Sequence, residues 1–244
     1  AAMPEELGVI LDNLKNLEEK DYGDLKIYSG EWLNSNSKSV FITTAWSGWG
    51  KVSAARATTR ICSCKYKDKN IDCLLFTGVA GAVKKDIRKW DIVIADSVMQ
   101  YDMDARPLFK QYEIPALKKQ LLKPSDYWFE VLLESLRDCK LDQSLSYFGD
   151  LHKGLIGTGD LFVSNKSFIE DLRVKIPSLV AVEMEGAAFA QVACQEKINW
   201  IVLRVISDEA DDSADVDFNE FLEKYKTCSW ELIKLFLNKI TILY

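Results

Sequence analysis

Two apolar runs in this chain end on acids. Leu179-Val180-Ala181-Val182 stops at Glu183-Met184-Glu185-Gly186, and a run of small residues follows at 187–190. Trp200-Ile201-Val202-Leu203-Arg204-Val205-Ile206 stops at Ser207-Asp208. Runs this short and this apolar read as strands buried on both faces, which requires helices on either side of the sheet. A carboxylate at the end of such a strand lies near a core and is costly there unless something pairs with it. Open α/β sheets bind ligands at the carboxyl ends of their strands. One acid at a strand-to-helix junction is ordinarily a cap or a solvated residue. Two junctions of the same kind point to a site that binds hydroxyls and moves protons.

The rest of the chain extends this pattern. Residues 40–46, 71–76, 90–97 and 155–160 read as further strands, and 27–32 alternates like one. Helices are expected from Lys51, over 124–139 and over 165–174. A stripe of Leu7, Ile10, Leu11, Leu14 and Leu17 predicts a helix within 5–20, and one long amphipathic helix is expected over 218–244. No low-complexity linker or repeat divides the 244 residues. Residues 1–244 are therefore expected to form one α/β domain, a three-layer α/β/α sandwich with a mixed, mostly parallel central sheet. Ser47-Gly48-Trp49-Gly50 and Thr77-Gly78-Val79-Ala80-Gly81 are expected as tight turns whose backbone can approach a ligand. Neither fits the dinucleotide or Walker pattern. If the strands are parallel, their ends near 47, 78, 159, 184 and 207 converge on one edge and form the pocket. The segment 101–115 is an aromatic loop carrying Tyr101, Phe109 and Tyr112.

Charge and cysteine usage exclude several classes. A net charge of −6 and a pI near 5.1 argue against nucleic acid as the main partner. The six cysteines (Cys62, Cys64, Cys73, Cys139, Cys194, Cys228) are scattered, which suits free thiols in a reducing, cytoplasmic compartment. Cys62 and Cys64 lack the second pair of a zinc site. His152 is the only histidine, and no nucleophile-elbow motif accompanies it, so a His-based triad is disfavoured. No apolar run reaches 18 residues, so no transmembrane helix is expected. The chain starts Ala1-Ala2 without an initiator Met, which leaves room for a removed targeting segment.

Four segments carry a family resemblance. They are Thr77-Gly78-Val79-Ala80-Gly81, Gly159-Asp160-Leu161-Phe162-Val163, Val182-Glu183-Met184-Glu185-Gly186 and Arg204-Val205-Ile206-Ser207-Asp208-Glu209-Ala210-Asp211. Their order and spacing, over nearly the whole chain, resemble the nucleoside phosphorylase/nucleosidase superfamily, and within it the 5'-methylthioadenosine/S-adenosylhomocysteine nucleosidases. The resemblance implies hydrolysis of the N-glycosidic bond of adenine thionucleosides, with no cofactor and no metal. It makes Asp208 the general acid toward adenine N7, oriented by Ser207, and Glu6 the residue that holds the water. Glu185 would bind the ribose 2'- and 3'-hydroxyls, with Met184 against the sugar and Glu183 and Met3 beside it. Phe162 would stack on the base, the backbone of Val163 would read its edge, and Ala80 and Gly81 would approach it. Trp49, Phe218 and Phe109 from the second copy of a homodimer would line the alkylthio end, with Trp49 standing where smaller aliphatic residues are common. The resemblance also implies a buried strand ahead of Ala2-Met3-Pro4-Glu5-Glu6, which this sequence does not contain.

The chemistry supports these roles independently. Adenine leaves poorly as an anion, and protonation at N7 lets it depart neutral. The acid that does this must hold a proton near neutral pH through burial and hydrogen bonding. The sugar passes through an oxocarbenium-like state that carboxylates stabilise. An ionised carboxylate, an acceptor only, suits a vicinal diol. Two other readings stay open. A phosphorylase would need Arg, Lys and free N–H groups for its anion; Arg204 is a candidate, whereas Glu5 and Glu6 repel phosphate. A non-catalytic nucleoside-binding or surface protein would gain little from keeping all three carboxylates.

Overall fold

Alternation along one strand shows how the sheet is packed. In the run from Trp200 to Ile206, Trp200, Val202 and Ile206 pack into one apolar cluster, and Ile201, Leu203 and Val205 into another on the opposite face. None of these is more than 3% exposed. The first cluster includes Ala54, Ala187, Phe189, Ala190 and Ala193 from helices on one side; the second includes Leu132, Leu136, Phe221, Tyr225 and Phe236 from helices on the other. Burying each large aliphatic side chain is worth about 1.5–3 kcal/mol, so the sheet is held from both faces.

The computed structural model describes residues 1–141, 145–210 and 214–243; Asp211 of the fourth motif and Tyr244 of the expected closing helix lie outside them. After two 3-10 turns, Pro4–Glu6 and Leu11–Asn13, the elements are β1 (Lys15–Asp21), β2 (Lys26–Leu33), β3 (Ser39–Thr44), α1 (Lys51–Cys62), β4 (Cys73–Ala82) and β5 (Ile92–Gln100). They continue as α2 (Asp126–Leu141), β6 (Leu151–Thr158), α3 (Lys166–Lys175), β7 (Leu179–Glu183), α4 (Gly186–Gln195), β8 (Asn199–Asp208), α5 (Ala214–Tyr225) and α6 (Ser229–Leu243). This is a mixed α/β fold. Strands β1-β2-β3 form an antiparallel sheet, and β4-β7-β6-β5-β8 close on themselves. In the closed sheet β4–β8, β5–β6 and β6–β7 are parallel, while β4–β7 and β5–β8 are antiparallel. Closure was not foreseen. It follows from register shifts at Ala80/Gly81, Ala95/Ser97 and Leu155/Ile156, since an extra residue bends a strand and tightens its twist.

The free edges of β3 and β4 face each other across a cavity of about 730 Å³ lined by Val40, Ile42, Leu74, Phe76, Phe189 and Phe236, among others. Strand β7 reaches β4 only at Gly81 and Ala82, and among the described residues no strand pairs with the edge of β4 before them on that side.

Three expectations are corrected. Residues 5–20 are not a helix: the chain turns at Gly8 (φ 54°), and Lys15–Asp21 pairs with β2. Part of the apolar stripe is nonetheless core, because Leu7, Ile10 and Leu14 pack on Trp32, Trp230 and Ile233, while Leu17 on β1 is exposed. Residues 77–81 are not a turn but the second half of β4, in register with β8 from Cys73↔Asn199 to Gly81↔Asp208. The closing helix is two helices, α5 and α6. At their junction the Ser229 hydroxyl donates to Glu5 O (3.1 Å). A Cβ on Gly8 would lie 2.8 Å from the Ser229 oxygen, so the break seats the first 3-10 turn against the core.

Candidate active site

Pro4 opens the first 3-10 turn, where its missing N–H costs nothing. The turn folds Glu6 back on itself: one carboxylate oxygen accepts the N–H groups of Ala2 (2.7 Å) and Met3 (2.9 Å). The other accepts Val79 N–H on β4 at 3.0 Å. Glu6 is thereby fixed over the strand and only 4% exposed. Gly78 makes this possible, because a Cβ there would stand 2.2 Å from the Glu6 oxygen.

Asp208 ends β8 and is buried. The Ser207 hydroxyl donates to its Oδ2 (2.6 Å), and Ala210 N–H donates to its Oδ1 (2.8 Å). Gly81 leaves room for this turn, since a Cβ there would meet Asp208 Oδ1 at 2.9 Å. Glu185 stands at the start of α4 and accepts Gly50 N–H at 2.7 Å. Gly50 (φ 90°) and Gly48 (φ 79°) form the turn that brings this donor in. Burial pushes the Glu185 carboxyl up to about 8, with Glu183 adding to the shift and the Gly50 N–H opposing it.

These acids line one cleft together with Met3, Ala80, Gly81, Val163, Met184 and Ser207. Its apolar wall is a set of three rings. Trp49 and Phe162 are near-parallel (15°) with centroids 6.4 Å apart, and Phe218 stands nearly perpendicular to both, at 6.0 and 5.6 Å. Trp49 is half exposed at the rim. Lys51 ties the rim together: its N–H donates to Asp160 (2.8 Å) and its ammonium pairs with Asp102 (2.7 Å). The larger β3–β4 cavity has one acid in its lining, Asp72, so the cleft is the better site. Phe109 does not line this chain's own cleft; it is 37% exposed on the 101–115 loop.

Glu183 borders the cleft, but its side chain is 2% exposed and engaged by the protein. Its Oε2 accepts from Arg204 (2.6 Å), Gly186 N–H (2.7 Å) and Glu185 N–H (3.1 Å), and its Oε1 pairs with the Thr158 hydroxyl. Arg204 is itself 1% exposed. Arg204 is a phosphate-ligand candidate by residue type and a structural strand-end residue by the resemblance; its guanidinium donates to Glu183 and to the carbonyls of Phe76 and Leu203, as a structural residue would. Thr158 and Gly50 were not singled out as partners of the acids. Thr158 ends a strand directly before Gly159, a position that could have flagged it.

Buried acids beside an aromatic wall, at the strand ends of a mixed α/β sheet, define an acid–base enzyme for a small hydroxylated ligand. Comparison with known proteins narrows this. The sequence model of the Phosphorylase superfamily matches residues 1–238. A 5'-methylthioadenosine/S-adenosylhomocysteine nucleosidase of Anoxybacillus flavithermus is 31% identical, over 98% of this chain and 96% of that protein. The crystal structure of the nucleosidase of that name from Neisseria meningitidis, in complex with methylthio-immucillin-A, superimposes with a TM-score of 0.83 at 28% identity, covering 96% of this chain and 95% of the other. The futalosine hydrolase of Helicobacter pylori gives a TM-score of 0.81 at 29% identity, over 98% and 95%. The chain belongs to the phosphorylase superfamily, in its family of 5'-methylthioadenosine/S-adenosylhomocysteine nucleosidases.

Proposed function

We propose that this chain hydrolyses the N-glycosidic bond of 5'-methylthioadenosine and S-adenosylhomocysteine, releasing adenine and the thioribose product. The observation that carries the reading is the meeting of Glu6, Glu185 and Asp208 in one buried cleft, each from a different part of the chain. Asp208, held by Ser207 and Ala210 N–H, gives its proton to the leaving purine. Glu6, locked by three backbone N–H groups, orients and activates the attacking water. Glu185 accepts the sugar hydroxyls, with Met184 beside it and Met3 near Glu6. Phe162 stacks on the base beside the Val163 backbone, Ala80 and Gly81. Trp49 and Phe218 close the alkylthio end. Among the described residues the lining offers acids and no Lys or Arg, which favours water over phosphate as nucleophile.

The same reading takes residues 1–244 as one cytoplasmic, layered α/β/α domain that pairs as a homodimer. The exposed apolar residues Val52, Leu108, Phe109 and Leu161 support the pairing, since interfaces gather such groups. Among the described residues no helix is long and apolar enough to cross a membrane.

Adenine release from methylthioadenosine, run with and without phosphate and across protein dilution, tests the reading. Phosphate-independent release that falls as copies separate is expected. Strict phosphate dependence would make the chain a phosphorylase, and no release at enzyme concentrations would leave it a binding protein.

Nucleoside binding should also release protons. Burial raises the Glu185 carboxyl to about 8. Sugar hydroxyls donate to the ionised form and lower that value. Between the lowered value and about 8, each binding event therefore expels up to about one proton. Calorimetry in buffers of different ionisation enthalpy should detect this in the native chain, and the release should vanish in Glu185→Gln. Equal release from both proteins would assign the proton elsewhere.

A further inference from the structure

We propose that Glu183 is a positioning residue that does not touch the nucleoside: it caps α4 in place of Glu185 and so leaves the Glu185 carboxylate free to face the sugar hydroxyls. This deepens the nucleoside reading and rests on it.

A helix leaves its first N–H groups without intrahelical partners, and the residue at the N-cap position ordinarily satisfies one of them with its side chain. Glu185 occupies that position in α4 and makes no such bond. The first amides are served from outside the helix instead. Glu183 Oε2 accepts the N–H groups of Glu185 and Gly186, and the Thr158 hydroxyl oxygen accepts Ala187 N–H at 2.7 Å. The Thr158 hydroxyl in turn donates to Glu183 Oε1, so both caps form one unit between the ends of β6 and β7. Arg204 holds the other side of the Glu183 carboxylate.

The substitution of caps has a geometric consequence. If Glu185 capped its own helix, its carboxylate would fold toward the amides of the first turn. With those amides occupied, it points to Gly50 N–H and into the cleft. Two glutamates spaced two residues apart therefore divide the work, the first serving the helix and the second the ligand. An anion at Glu183 also lies on the favourable, positive end of the α4 dipole.

A binding cycle tests this. The probe is carbocyclic 5'-methylthioadenosine, which lacks the ring oxygen and cannot be hydrolysed through an oxocarbenium state. Glu183→Ala frees the amides, and Glu185 should turn back to cap them. Binding is then expected to weaken about tenfold or more, because the cap and the sugar hydroxyls compete for one carboxylate. In a Glu185→Ala background the same change should alter binding less than about twofold, because the two residues act through one interaction. Glu183→Gln, which keeps an acceptor for the amides, should recover most of the affinity. An equal loss in both backgrounds would mean that Glu183 contacts the ligand and would overturn the proposal, as would native affinity in Glu183→Ala. If Glu183→Ala does not fold, Thr158→Val enters the same cycle with the same expected coupling.

Amide exchange at Gly186–Ala188 reads the cap without any ligand. In Glu183→Ala, protection should survive only while Glu185 is present to take over. Protection that is indifferent to Glu185 would overturn the proposal. Failure of the native chain to bind the probe, with this exchange pattern intact, would sink the nucleoside reading and leave the exchange of caps standing.

Discussion

Asp208→Asn is expected to slow adenine release by about 10²–10⁴-fold, the range that a positioned general acid contributes, with nucleoside affinity changed only a few-fold. Asn matches the shape of Asp and keeps an oxygen for Ala210 N–H, which donates at 2.8 Å in the native chain. What it lacks is a proton to give. The purine must then leave as an anion, in a cleft whose other acids, Glu6 and Glu185, disfavour further negative charge. Because the loss lies in the chemical step, kcat should fall while KM stays near its native value. Steady-state adenine release on native and variant protein measures both. Near-native kcat in the variant would remove Asp208 from this role.

Serine 207 supports the same chemistry one bond removed. Its hydroxyl lies 2.6 Å from Asp208 and within 3.3 Å of Ala80 O, so the carboxyl is held to the inner wall of the cleft. Residues 207 and 208 were legible as a pair because they end a seven-residue run, Trp200–Ile206, that is apolar except for Arg204. The same logic found 183–185 at the end of β7. Apolar runs mark buried strands, and an acid at the end of one has few places to go except a pocket.

What the sequence left open was long-range. The division of labour between Glu183 and Glu185 depends on Thr158 and Arg204, which reach them from β6 and β8. No local pattern announces that a cap comes from the preceding strand. The stripe Leu7, Ile10, Leu11, Leu14, Leu17 predicted a helix that does not form, since Gly8 at positive φ and pairing with β2 outweigh periodicity; Leu7, Ile10 and Leu14 are buried, whereas Leu17 on β1 is exposed. Gly78 and Gly81 were read as turn formers from composition. In the structure they sit in a strand and are needed because carboxylates lie against them. The break between α5 and α6 falls at Lys226-Thr227-Cys228, of which Thr227 and Cys228 have modest helix propensity. That signal was present but weak beside the strong amphipathic pattern on either side.

Arg204→Met is expected to destabilise the fold by about 3–5 kcal/mol, the cost of stripping one partner from a buried pair, out of a total of about 5–15 kcal/mol for a domain. The guanidinium is 1% exposed, donates to Glu183 at 2.6 Å and lies 4.6 Å over the Phe76 ring. Met can follow the same path and keep contact with Phe76, so most of the loss is charge. Glu183 would then lie buried without the guanidinium that pairs with it, and Glu185 and Glu6 lie close by in the same cleft. The deficit should depend on pH in a set direction. Glu185 rises from its ordinary 4.5 to about 8 on folding, so its contribution to stability is present below 4.5 and is lost as pH climbs to about 8. Removing Arg204, which draws that value down, pushes it higher still. The variant should therefore be weakest relative to the native chain in alkaline buffer and recover part of the difference as the acids take up protons. Urea unfolding midpoints at pH 6 and pH 9 give the comparison, with Glu183→Gln added to ask whether removing the facing charge restores stability. A loss below about 1 kcal/mol at both pH values would mean that the guanidinium does not carry the charge balance of the cleft.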